Sequence, residues 1–113
     1  MKDRVYSLLS LCAKRIADGA KAGRLTSGNF SVESAVKDNK AYIVIVAKDA
    51  SKNTKKLFDQ KCNYYNIPYY EYGDKDSLGR FIGKEMRTSV AVLDKGFADQ
   101  IINYISINEN MEA

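Results

Sequence analysis

Val5, Leu8, Leu9, Cys12 and Ile16 recur at intervals of three and four with charged residues between them. This spacing predicts a helix over residues 3–17, and Asp18-Gly19 supplies a stop, with glycine just past the last turn. Arg24 to Thr26 reads as a short extended piece. Phe30, Val32, Ala35 and Val36 mark a second helix, closed by Asp38-Asn-Lys40. The period then breaks at Ala41-Tyr-Ile-Val-Ile-Val-Ala47, an apolar and largely β-branched run. A run of this kind predicts a strand buried on both faces, which requires helices above and below the sheet.

Lys48-Asp-Ala-Ser51 turns the chain into a third helix that Asp49 or Ser51 can cap. Leu57, Phe58, Cys62 and Tyr65 form its apolar stripe, opposite Lys52, Lys55, Lys56 and Lys61. Asn66-Ile-Pro68 must leave the helix, because proline restricts the residue before it. Pro68-Tyr-Tyr-Glu-Tyr72 predicts an aromatic strand, and Gly73 to Asp76 cap a fourth helix carrying Leu78 and Ile82 and ended by Gly83. Thr88-Ser-Val-Ala-Val-Leu93 predicts another buried strand. A last helix over 95–105 carries Phe97, Ile101, Ile102 and Ile105. Such alternation predicts an α/β fold: a three-layer α-β-α sandwich around a mixed, mostly parallel four-stranded sheet. One domain is expected over 1–106, followed by a polar tail over 107–113 that is expected to fray.

Composition narrows the function classes. The chain has 113 residues, 45% of them hydrophobic, which suits one folded domain. No apolar run approaches the roughly 18 residues of a membrane helix, and the charged start Met1-Lys-Asp-Arg4 is unlike a secretory signal. A cytoplasmic protein without membrane contact is expected. Cys12 and Cys62 sit on apolar stripes and are expected to be buried and reduced. With no histidine, the commonest general base and the usual zinc ligand sets are missing. No enzyme, metal site or cofactor is expected.

The net charge of +4 is uneven. Residues 1–67 hold 13 Lys and Arg against 6 Asp and Glu, a net +7; residues 68–113 hold 5 against 8, a net −3. A basic half suggests a polyanion partner, although a solvated lysine surface has the same composition.

Chemistry can gather where loops meet the ends of the strands. Three loops follow strands, at Ser27–Asn29, Lys48–Ser51 and Gly73–Asp76. At the first, Ser27 or Asn29 can cap the second helix and Gly28 can turn sharply. Free amides at a helix start attract phosphate, and Lys14, Arg15, Lys21 and Arg24 precede it closely. A fourth loop, Gly83-Lys-Glu-Met-Arg-Thr88, holds two cations for phosphate and Met86 for an unstacked base. Both segments also read as ordinary turns. The tyrosines at 64, 65, 69, 70 and 72 fit either stacking surfaces or core and rim. Asp74 and Asp76 read as turn and cap residues. Gly79 and Gly83 form a GxxxG read as tight helix packing, and no phosphate-binding glycine motif is present.

Several segments match a known pattern. Ala35-Val-Lys-Asp-Asn-Lys-Ala-Tyr-Ile-Val-Ile-Val-Ala-Lys-Asp-Ala50, Ile67-Pro-Tyr69 and Leu78-Gly-Arg-Phe-Ile-Gly83 resemble the kink-turn-binding ribosomal protein superfamily. Asp49 to Lys56, Lys61 to Tyr65, Ile82 to Glu85 and Lys95 to Ala98 are similar to its bacterial YlxQ-type branch. The resemblance covers roughly residues 5–106. It implies an L-thirty-e-like sandwich, non-catalytic RNA binding and an association with the ribosome or translation. The partners it suggests are structured RNA, such as a kink-turn or ribosomal RNA, and a ribosomal or other protein; a monomer is expected. In that superfamily a Gly-x-Asn-Glu-x-x-Lys segment reads the RNA. Here Gly28 matches the glycine, whereas Phe30, Ser31 and Ser34 stand where asparagine, glutamate and lysine belong, and Asn29 lies one place early. The second contact loop corresponds to Gly83, Lys84, Glu85, Met86 and Arg87. The expected RNA-binding set is therefore Lys21, Arg24, Ser27, Gly28, Asn29, Phe30, Ser31, Ser34 and Gly83 through Arg87. The missing readers leave open a protein-interaction module on the same fold.

Overall fold

The computed structural model describes residues 2–112, with side chains for 11–107. The elements are α1 (Lys2–Lys21), β1 (Leu25–Ser27), α2 (Asn29–Lys37), β2 (Ile43–Val46), α3 (Lys52–Tyr65), β3 (Tyr69–Glu71), α4 (Lys75–Phe81), β4 (Ser89–Val92) and α5 (Lys95–Glu112). The expected inward faces of Val5, Leu8 and Leu9, and the tail side chain of Met111, fall outside the described side chains. So do Met1 and Ala113.

The four strands pair in the order β1-β4-β2-β3. β2 and β3 pair parallel, whereas β4 is antiparallel to both β1 and β2. Three strands thus run in one direction, but only one of the three ladders is parallel, which corrects the expected mostly parallel pairing. The alternation of helix and strand does not specify that β4 inserts in reverse between β1 and β2. Every residue of β2 and β4 is buried, as continuous apolar strands require. Each fully buried valine or isoleucine contributes about 1.5–3 kcal/mol relative to exposure. α2 packs with α3, and α1 packs with α4 and α5, giving helical layers on the sheet. Phe58, Ile16, Leu78, Ile101 and Ile105 fill the space between layers and sheet.

Two helix boundaries differ from expectation. α1 continues through Gly19 to Lys21, and Gly23 takes the left-handed conformation at φ 71°. A Cβ on Gly19 would make only ordinary contact, 3.4 Å from the Leu25 side chain, so the helix carries this glycine without requiring it. α5 runs past residue 105 to Glu112. The third and fourth helices start as anticipated. Ser51 Oγ accepts the Thr54 amide, and Asp74 forms a reciprocal capping box with Ser77. Both Cys12 and Cys62 are buried free thiols.

Candidate functional site

The reversed insertion of β4 decides where the loops meet. The ends of β1, β2 and β3 and the beginning of β4 all lie along one edge of the sheet, because Ser27 pairs with Val90, Val46 with Ser89, and Val46 with Glu71. All four loops singled out in the sequence gather there. Their backbones are tied together: Gly28 N–H donates to the Ser89 carbonyl at 3.0 Å, and Ala47 N–H to Thr88 at 2.9 Å. Lys48 N–H donates to Gly73 at 2.8 Å, and Arg87 N–H to Lys75 at 3.0 Å. Asp49 reaches across as well, accepting the Lys75 amide at 2.9 Å.

The start of α2 is built differently from the expected side-chain cap. Gly28 is the N-cap, at φ 90° and ψ 145°, and no side chain caps the first turn. This φ favours glycine, since a side chain is strained there. Ser27 and Asn29 are drawn away to the opposite loop instead. Ser27 Oγ accepts from Arg87 Nε at 3.2 Å. Asn29 Oδ1 accepts from Thr88 Oγ at 2.9 Å and from Ser89 Oγ at 2.6 Å. Ser89 is fully buried, and this bond satisfies its hydroxyl. The first intrahelical bond runs from Val32 N–H to Gly28, so the amides of Asn29, Phe30 and Ser31 precede it. Such amides at the positive end of a helix can receive an anion.

Phe30 stands on this first turn and is 86% exposed; Met86, on the facing loop, is 54% exposed. Two large apolar side chains are thus exposed on the two segments that meet at the edge, Phe30 on the turn that carries the uncapped amides. Arg87 is half-buried, and its guanidinium also donates to the Met86 carbonyl at 3.0 Å. Its role in the fold is to tie the loop to β1, while Lys84 and Glu85 are exposed.

The loop itself is seated on α4. A Cβ on the buried Gly79 would lie 1.9 Å from the Glu85 carbonyl oxygen. The GxxxG read as helix packing is therefore a seat for the helix's own following loop, with Lys84 N–H bonded to Gly79 at 2.8 Å. Gly83, at φ 70°, makes the turn between them.

The expected residues separate into groups. Ser27, Gly28, Asn29, Phe30 and Ser31 meet Lys84, Glu85, Met86 and Arg87 at the edge. Ser34 is exposed on the next turn of α2. Arg24 precedes β1 at its other end, where its carbonyl accepts the Leu93 amide. Lys21 faces Arg80–Gly83 across a groove between α1 and α4. Thr88, Ser89, Gly79 and Asp49 were not among the expected residues. The contacts of Thr88 and Ser89 span about sixty positions, so no local pattern marks them.

Part of the basic excess of the N-terminal half is engaged in ion pairs among the described residues. Lys37 and Lys61 both pair with Glu33, Lys55 with Glu71 and Arg15 with Asp18. The hydrogen bond from Lys37 holds the Glu33 carboxyl below its usual range, and the Ser77 amide does the same for Asp74. The tyrosine cluster divides: Tyr72 is buried, Tyr65, Tyr69 and Tyr70 are half-buried, and Tyr64 is 79% exposed. Among the described residues, no helix is long and apolar enough to cross a membrane.

Residues 12–102 match the family described as ribosomal protein L7Ae/L30e/S12e/Gadd45. The RNA-binding protein YlxQ of Bacillus subtilis (strain 168) is 41% identical over 85 residues, spanning 75% of this chain and 85% of its own length. The RNA-binding protein YlxQ of Enterococcus faecium is 38% identical over 78 residues, spanning 69% of this chain and 75% of its own length. A solved structure of a protein with unknown function from Bacillus halodurans C superposes with a TM-score of 0.82 at 34% identity, covering 84% of this chain and 96% of that one. The Giardia lamblia 15.5kD RNA binding protein shares the fold with a TM-score of 0.76 at 20% identity, covering 92% and 89% of the two chains.

Proposed function

The chain belongs to the ribosomal protein L7Ae/L30e/S12e/Gadd45 family, and on that premise we propose that it binds structured RNA along the strand-end edge without catalysing a reaction. Its Bacillus and Enterococcus relatives are named RNA-binding proteins. The observation that carries the reading is Phe30, 86% exposed on the first turn of α2 beside uncapped amides, with Met86 exposed on the facing loop. An RNA whose bend displaces a base can place a phosphate on those amides and stack that base on Phe30.

The reading favours a kinked RNA but not the usual recognition of a kink-turn. A bidentate base contact discriminates by about 1–3 kcal/mol in DNA complexes, and Phe30, Ser31 and Ser34 cannot reproduce a set of asparagine, glutamate and lysine. Stacking replaces base reading, so tolerance of sequence is expected. The proposal places the protein in the cytoplasm, as a monomer associated with the ribosome or translation.

Gel shifts with a kink-turn RNA, an unkinked duplex and a single strand test it. The kinked RNA is expected to bind best at low salt, and Phe30→Ala to weaken it by about 1–3 kcal/mol, the worth of one stacked base. No binding to any of the three, or an unchanged affinity for Phe30→Ala, would overturn the reading. The protein-interaction alternative is favoured by Tyr64, an exposed aromatic on α3 away from the edge. A pulled-down partner that resists nuclease and is lost with Tyr64→Ala would support it.

A further inference from the structure

A groove of about 400 Å³ lies between the end of α1 and the end of α4. Ala17, Ala20, Phe81 and Ile82 line it, with Lys21 and Arg80 at its rim. Its volume falls in the range of ligand sites, roughly 300–1,000 Å³. A smaller recess of about 100 Å³ continues it past Ala20 and Ile82 to Ser27 and Lys84. The groove therefore opens onto the same edge that carries Phe30 and Met86, but lies on the helical layer opposite α2.

Its charges are available. Lys21, Arg80 and Lys84 are exposed and form no ion pair among the described residues, in contrast to Lys37, Lys55 and Lys61. The nearest carboxylate on α1, Asp18, is already engaged by Arg15 at 3.4 Å. Arg80 also helps hold the Asp74 carboxyl below its usual range from the other end of α4. A helix C-terminus favours a cation by itself, which accounts for Lys21 and Arg80 singly. It does not account for three cations converging on one apolar floor.

We propose that this groove carries the single-stranded RNA flanking the bound kink, with phosphates on Lys21, Arg80 and Lys84 and a base on the Phe81–Ile82 floor. The inference rests on the RNA reading above and extends the footprint onto a face that reading leaves empty. Two observations argue for nucleic acid: the alternation of apolar floor and unpaired cations, and the continuity of the groove with the edge through Ser27 and Lys84.

The test compares a kinked RNA with blunt ends against the same RNA extended by several unpaired nucleotides at either end. An extension is expected to tighten binding about fivefold or more, for one stacked base. Three phosphate contacts steepen the slope of log affinity against log salt by roughly two. Arg80→Glu should remove that gain and affect the blunt RNA far less, because Arg80 lines the groove and makes none of the side-chain contacts that tie the edge together. Thiouridine in the extension should crosslink to the peptide holding residues 81–84. If the extension adds nothing, or its gain survives Arg80→Glu, the groove does not carry RNA and the edge reading stands. That outcome would leave the groove to an acidic protein segment. If neither RNA binds at low salt, the edge reading and this inference fall together.

Discussion

Replacing glycine by alanine inside a helix ordinarily stabilises it by about 0.8–1.0 kcal/mol. At Gly79 the opposite is predicted. The added Cβ would sit 1.9 Å from the Glu85 carbonyl oxygen and 3.1 Å from that of Lys84, where 3.4 Å is an ordinary contact. The backbone at Glu85 must therefore retreat by about 1.5 Å, or α4 must shift on Leu78, which is fully buried. Forcing extra volume into a packed site costs about 1–3 kcal/mol, so Gly79→Ala should lose that much in urea unfolding. Gly19→Ala is the control: its Cβ meets only the Leu25 and Phe97 side chains, at 3.4 Å or more, and its effect should be neutral or slightly stabilising. The loop connects structure to function, because the displaced segment carries Lys84 and Met86. RNA affinity should fall in Gly79→Ala while the fold persists. A Gly79→Ala protein more stable than wild type, with RNA affinity intact, would refute the claim that Gly79 seats the loop.

The other expectations are narrower. Asn29→Ala strands the buried Ser89 hydroxyl and should cost about 1–3 kcal/mol in denaturant unfolding, whereas Ser89→Ala leaves only an exposed carboxamide and should cost less; equal costs would contradict the proposed bond. Lys84→Gln should lower RNA affinity across all sequences and flatten the salt slope by roughly 0.7–0.9, measured by titration at several salt concentrations. Burial pushes the Cys12 and Cys62 thiols up from 9.0 to about 11. The folded state then holds more protons than the unfolded state between those values. Stability should fall as pH rises from 9 toward 11, by at most about 1.4 kcal/mol per pH unit for each thiol. Urea midpoints at pH 8 and 10, with Cys62→Ala for comparison, check the sign, and a rise in stability would contradict it.

The legible parts of the fold were those with local causes. β2 and β4 are continuous apolar runs, and only burial on both faces tolerates them. Ser51 and Asp74 cap through amides three residues away, a distance that sequence spans directly. Gly19 misled because the left-handed turn falls four residues later, at Gly23, and an ordinary helix interior tolerates the earlier glycine. Ser27 and Asn29 misled because partners about sixty positions away compete successfully for their side chains. The reversed placement of β4 has no local signature, since it depends on which strand pairs with which. For the site, the four loops could be named from sequence, but their meeting at one edge and the seat at Gly79 arise from that strand order. Phe30 stands in sequence as a misfit to a known pattern, and its exposure in the fold is what makes it a candidate contact.

On the proposed function, RNA lies against the strand-end edge. Ultraviolet crosslinking of a bound kinked RNA, followed by mass spectrometry of the modified peptides, tests this most directly. Crosslinks are expected on the peptides holding Phe30 and Met86, lost selectively from the first in Phe30→Ala. Crosslinks confined to Tyr64 and Tyr65 on α3 would contradict this placement.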